Sequence, residues 1–309
     1  MKRYLISYFV FLLQLVLIMS VSCTSTESEG PNLPAWTGEY LGQTPPGTAP
    51  QSFAPGFFAS FTELHSTAVF SPDGREVFFT PMDGIPWEIM HSKIEDGVWT
   101  TPDYASFNSE FGCGDPSFSP DGTRIFFLSW ASASGNSEGN KENIWYVDRD
   151  GDGWGDPQIL GNEVNRFIVH WLVSSASNGR LYFAGRLTEE DDRDIYYSDF
   201  INGQYTDAQI MSTSVNSDDN EDTPFIAPDE SYIIFGRGGG PSSYADLYIS
   251  FRSTDNSWTQ AVSMDNVNTA SHELYPIVSG NGEYFFFMSM RDGVSRPYWM
   301  DAGIIESLR

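Results

Sequence analysis

Cysteine is nearly absent: Cys23 and Cys113 are the only two in 309 residues. If Cys23 has another use, no intramolecular disulfide can hold the fold, and a packed core must do so. Cations are scarce too, with 16 Lys and Arg against 42 Asp and Glu and a formal charge of −26. Lys2 and Arg3 are the only charges in the first 22 residues, so the remainder carries −26 − 2 = −28. Such a surface repels phosphate backbones and excludes nucleic acid as a partner. The chain has no Gly-x-Ser-x-Gly nucleophile elbow. Its "GRGGGP" at Gly236 lacks the Lys-Ser/Thr of a phosphate loop, which argues against nucleotide binding. "DRDGDGWGD" at Asp148 begins like a calcium loop, but Ile159 stands where the bidentate Glu is needed, so a hairpin explains it better.

What the chain does have is apolar and aromatic surface, 40% and 15% of its residues, enough for a well-buried core in one large all-β domain or two smaller ones. The N-terminus reads as an export signal over residues 1–22: Lys2 and Arg3, an apolar stretch over 4–19, and small residues ahead of Cys23. That stretch is too short and wrongly flanked for a typical membrane span. A cysteine directly after small residues resembles the bacterial lipoprotein box, although Ser20 replaces the preferred Leu. The expectation is a lipid on Cys23. Residues 23–49, polar and then rich in Pro and Gly, read as a tether. Glu27 and Glu29 in it resemble acidic signals that send some Bacteroidota lipoproteins to the cell surface.

Beyond the tether the chain repeats itself. Five turns align on one residue: "SPDG" at Gly74, "SPDG" at Gly122, "ASNG" at Gly179, "APDE" at Glu230 and "SGNG" at Gly282. Each follows a short apolar strand and precedes a strongly β-prone one such as "EVFFT" or "YFFFM". Asp-Gly and Asn-Gly supply the positive φ that a tight hairpin demands. A third strand recurs as "EIMHS", "NIWYV", "DIYYS" and "DLYIS". A fourth element then places an aromatic three residues before Pro or Ala: Trp99 and Pro102, Trp154 and Pro157, Tyr205 and Ala208, Trp258 and Ala261. Four antiparallel strands per repeat of about 50 residues is the pattern of a β-propeller blade.

The last repeat stops after its third strand, "PYWMD". Its fourth is expected from the other end, where "TAPQSFAPG" puts Pro50 in the place of Pro102. The fold expected is therefore an all-β, five-bladed propeller over residues 50–303, closed by an N-terminal strand, with repeats near 62–104, 112–159, 168–210, 221–263 and 273–301 and a tail at 304–309. A six-bladed ring is the alternative if residues 31–61 form an irregular blade. "FSPDG" before a "hhFF" strand, with "DIYYS" and "DLYIS", resembles the WD-repeat-like propellers of the TolB type found in exported bacterial proteins. That family mixes binding modules, scaffolds and a few enzymes, so the resemblance implies fold more than function.

In such a ring the turns after strands one and three share one face, and the long irregular loops share the other, where ligands usually sit. Nine residues before each turn position, at the start of the innermost strand, stand His65, Cys113, His170, Glu221 and Glu273. Imidazole, thiolate and carboxylate converging on one channel mouth would suit a divalent metal, with His65, His170, Glu221 and Glu273 as ligands. The plainer reading is that each bonds neighbouring backbone. Asp115 and Asp222, a little further along, could join either arrangement. Arg186 and Arg237, seven residues after their turns, could pair with a carboxylate ligand such as a uronic acid, or simply with rim acids such as Glu189. The leading functional expectation is a lipid-anchored binding module of the bacterial outer membrane, without cofactor, that recognises a glycan or envelope protein on its loop face. The alternative is a metal-dependent polysaccharide-active enzyme, because propeller-type pectic oligosaccharide lyases resemble the same repeats. A pure scaffold role is a third expectation.

Overall fold

The computed structural model describes residues 35–136, 141–238 and 244–309. The signal, Cys23 and the tether up to residue 34 lie outside the described residues. From residue 35 onward the chain forms five small antiparallel sheets arranged as a five-bladed propeller. The innermost strands are Val69–Phe70, Cys113–Phe118, Val169–Ser175, Asn220–Ile226 and Glu273–Val278. The six-bladed alternative fails, because residues 35–61 supply only a 3-10 turn at Glu39–Gly42 and the strand Gln51–Ser52. That strand pairs with Arg296–Asp301, Gln51 opposite Trp299 and Ser52 opposite Tyr298, and completes blade five.

The repeat arithmetic holds at every blade. The fourth strands Asp103–Tyr104, Gln158–Ile159, Gln209–Ile210, Val262–Ser263 and Gln51–Ser52 each begin one residue after the aligned Pro or Ala. The five turn residues take φ of 67°, 70°, 86°, 59° and 75°. Glycine adopts this left-handed region without a Cβ clash, which is why four of the five are Gly. Ser71 Oγ–H donates to Asp73 Oδ1 at 2.6 Å, and Asp73 in turn accepts from the Arg75 N–H at 3.2 Å, so "SPDG" is a self-bonded hairpin. The "DRDGDG" segment is likewise a hairpin, between Asn143–Asp150 and Gly153–Trp154.

Two boundaries differ from expectation. The tether ends before residue 36, not at 49. Trp36 packs edge-on against Phe57, and Tyr40 and Leu41 are buried in the core beside Phe70, Tyr284 and Phe286. Removing two such side chains from water stabilises by about 2 kcal/mol each, more than a free linker would forgo. The tail is not free either, since Ile305 is buried and Ile304 and Leu308 pack beside it against blades four and five.

Four innermost strands carry a β-bulge seven residues before the turn, where Asp115, Leu172, Thr223 and Tyr275 take positive φ between 45° and 53°. All four are buried. Tyr275 N–H donates to Thr223 Oγ1 at 3.1 Å, and the Tyr275 hydroxyl and Asp115 Oδ1 both lie against His65 Nε2, at 3.0 and 3.3 Å. The channel is thus filled at its middle.

Candidate site at the channel mouth

The position nine residues before each turn proves to be two things. Four of its five residues tie down the connection that leads into their own blade. Cys113 Sγ accepts from the Ser109 N–H at 3.2 Å. Glu221 accepts from Ser217 N–H and Oγ–H at 3.1 and 2.6 Å, and Glu273 accepts from Thr269 N–H and Oγ1–H at 2.9 and 2.8 Å. Each partner lies four residues upstream, so a polar side chain here satisfies backbone that would otherwise be buried without a bond. His170 is wholly buried, with Nδ1 and Nε2 each 3.0 Å from a backbone carbonyl, of Glu142 and Val164. Burial pushes its pKa down to about 4, and burial pushes the Cys113 thiol up to about 11. A neutral imidazole and a protonated thiol so enclosed are structural groups.

His65 is different. Its ring lies 4.0 Å from that of Trp87, its Nε2 is 3.0 Å from the Tyr275 hydroxyl and 3.3 Å from Asp115 Oδ1, and 21% of the side chain is exposed. Asp115 is 2% exposed and its Oδ1 has no aligned hydrogen bond, so burial lifts its pKa to about 7. Burial also lowers His65 to about 4. Between about pH 4 and pH 7 the pair, 3.3 Å apart, holds one proton. Tyr275, which touches both, is pushed far above the ordinary tyrosine range by its burial. Above the trio opens a pocket of about 280 Å³ on the loop face, lined by Met82, Trp171, Leu274, Met288 and Met290 together with His65 and Tyr275. Trp171 also carries the Arg193 guanidinium 4.3 Å from its ring, and Arg193 is held by Asp222 at 2.5 and 3.0 Å.

The two expected rim arginines are both engaged locally. Arg186 pairs with Glu189 in its own loop. Arg237 binds Glu221 Oε1 at 2.7 Å and the Val215 carbonyl at 2.6 Å, beneath its own blade's Tyr248 ring. The structure therefore brings together His65 and Asp115 but places His170, Glu221 and Glu273 in separate local networks. Among the described residues no three His, Cys, Asp or Glu converge in a way that could hold a metal ion. The donor set proposed for a divalent metal does not fit one as these side chains stand.

Sequence reasoning missed three members of the mouth: Tyr275, Trp171 and Trp87. It also missed a structural series that the same count would have found. Asn108, Asn165, Asn216 and Asn268 each stand fourteen residues before a turn residue. Each accepts from and donates to one third-strand residue, Ile89, Ile144, Ile195 or Leu247, at 2.7–3.1 Å.

No protein-family model matches the chain, and no curated protein matches it. Solved structures do. The endo-arabinase of Bacteroides thetaiotaomicron VPI-5482 is similar over 84% of this chain and 97% of its own, with 11% identity and a TM-score of 0.54. TolB of Acinetobacter baumannii is similar over 75% of this chain and 53% of its own, with 18% identity and a TM-score of 0.47. The oligogalacturonate lyase of Vibrio parahaemolyticus follows at 14% identity over 77% and 66%, with a TM-score of 0.43. The chain thus spans about half the length of TolB. At such identities the likeness concerns the fold alone, and it is carried by the endo-arabinase, whose TM-score exceeds 0.5. A shared fold does not choose between binding and catalysis.

Proposed function

We propose that this chain is an exported, lipid-anchored binding module of the bacterial envelope, and that a glycan or envelope protein seats in the pocket at the loop-bearing mouth of its channel. One observation carries the reading. His65 lines a pocket walled by Trp171, Leu274 and three methionines, with Glu63, His272, Ser289 and Ser295 among its polar members. Apolar walls with a small number of placed polar groups suit recognition. The lipid on Cys23 rests on the sequence alone, and the outer membrane is its expected destination.

A second reading, an enzyme acting on polysaccharide, draws on the His65–Asp115–Tyr275 contacts, since linked groups that share one proton can pass it to a bound molecule. It does not draw on a metal. The test is to incubate the purified protein with a panel of polysaccharides and envelope extracts, measuring retention, release of reducing or unsaturated ends, and metal content. Retention without cleavage supports the binding module. Cleavage that His65→Ala abolishes would replace it with the enzyme, and a stoichiometric metal lost with that variant would revive the metal-dependent form.

A further inference from the structure

On the turn face, side chains at and beside the turns reach across the clefts between adjoining blades. Among the described residues three of the five clefts are closed by the chain itself, and the one between blades one and two is bridged yet keeps a hollow of about 820 Å³ lined by charged and polar side chains without an aromatic ring. Between blades one and two, Glu76 accepts from Arg149 at 2.6 Å and from Trp154 Nε1 at 3.1 Å. Between three and four, Glu230 accepts from Arg180 at 2.8 Å and from Tyr182 at 2.5 Å. The C-terminal Ile305 and Leu308 cover the cleft between four and five, and Tyr40 fills the one between five and one.

The cleft between blades two and three is open too, and its walls carry aromatic rings. Arg124 stands where Glu76 does, but it turns back onto its own blade, bound to Asp148 at 2.6 and 3.0 Å and lying 3.9 Å from the Tyr146 ring. What remains is a trough of about 390 Å³ that continues, past Arg124, Phe200 and Tyr205, into a second hollow of about 330 Å³. Its wall on blade three is a hairpin, Phe200–Ile201 with Gln204–Tyr205, whose Phe200 and Ile201 are 40% and 54% exposed. In repeats one, two and four the residue matching Tyr205 is a Trp, where Trp99 donates to the Gly38 carbonyl and Trp154 and Trp258 lie by Arg149 and Arg252, whereas Tyr205 packs on the half-exposed Phe200 with ring centres 4.8 Å apart.

The occupant follows from the lining. Ring faces of Phe200 and Tyr205 can cover the C–H face of a sugar. The carboxylates of Asp121, Asp148 and Glu163 accept bonds from hydroxyls. The one cation, Arg124, is already neutralised by Asp148, and the surrounding chain is strongly negative, so a uronate or phosphate meets repulsion. An elongated, amphipathic, carboxylate-lined trough therefore suits a chain of uncharged polyhydroxylated rings. We propose that the cleft between blades two and three is a subsite for a neutral oligosaccharide, separate from the channel mouth.

Isothermal titration of the full chain with malto-, cello-, xylo- and mannohexaose, and with hexagalacturonate, tests this. At least one neutral hexasaccharide should bind, hexagalacturonate should not, and Phe200→Ala and Tyr205→Ala should each weaken binding at least tenfold. Phe200 is partly exposed, so its variant should fold normally, and circular dichroism checks that. Failure of all four neutral sugars, equal binding of hexagalacturonate, or competition by an unstructured peptide pool would overturn the proposal. So would loss on His65→Ala in place of Tyr205→Ala, which would move the sugar to the channel mouth. A channel mouth that binds nothing leaves this subsite untouched.

Discussion

His65 and His170 occupy the same register, nine residues before their turns, in blades one and three. One faces a pocket beside Tyr275 and Asp115, and the other is sealed between two carbonyls. The difference lies in what surrounds them. His170 sits beneath Phe167 and Phe183 and beside a complete inter-blade connection. His65 stacks on Trp87, and its other neighbours come from blades two and five. Register in a propeller decides which side chains reach the channel. The neighbouring blades decide whether they become mortar or site.

The comparison can be broken most forcefully at His170. Replacing it with Ala opens a cavity and leaves whichever of the Glu142 and Val164 carbonyls accepts the ring's one N–H without its donor, a loss of about 3–4 kcal/mol in denaturant unfolding. A loss under about 1 kcal/mol would mean the ring is not structural. Asp115 sharpens the other side of the comparison through pH. Its folded pKa, raised to about 7 from 3.8, means that the folded chain keeps a proton the unfolded chain gives up. Stability from this group is therefore greatest below about pH 4 and declines as pH rises to 7. His65 and His170, lowered to about 4, act in the opposite sense, so their contribution grows between about pH 4 and 6.5. Asp115→Asn removes the first effect, leaves that of His170 in place, and takes from His65 its carboxylate neighbour. Its stability relative to the parent should improve by about 2–3 kcal/mol between pH 5 and pH 8, and a flat difference would show that Asp115 ionises freely.

Smaller effects are expected at the mouth and the rim. His65→Ala should cost about 1 kcal/mol of stability, because its ring borders an open pocket, yet weaken ligand capture at the mouth at least tenfold. Arg186→Ala should change unfolding by less than about 0.5 kcal/mol, since its partner Glu189 is 72% exposed. A larger loss there would give the rim arginine a role that its local pairing does not explain.

Much of the ring was readable because sterics repeat. A turn that needs positive φ selects Gly, and the closing strand could be found at the opposite end of the chain by matching Pro50 to Pro102. The Asn series was equally readable by the same count and was passed over. The bulge position was not, because Asp115, Leu172, Thr223 and Tyr275 share a backbone conformation and no side-chain chemistry. Nor was the trio, since Tyr275 meets His65 from 210 positions away. Residues 36–41 read as linker from their Pro- and Gly-rich surroundings, and only packing against Phe70 and Phe286 reveals them as core.

The division between mortar and site is tested most directly by unfolding His65→Ala and His170→Ala side by side in urea at pH 7. This account expects His170→Ala to lose at least twice the stability that His65→Ala loses, while His65→Ala alone keeps the parent's cooperative transition almost in place. Equal losses, or the larger loss at His65, would contradict it.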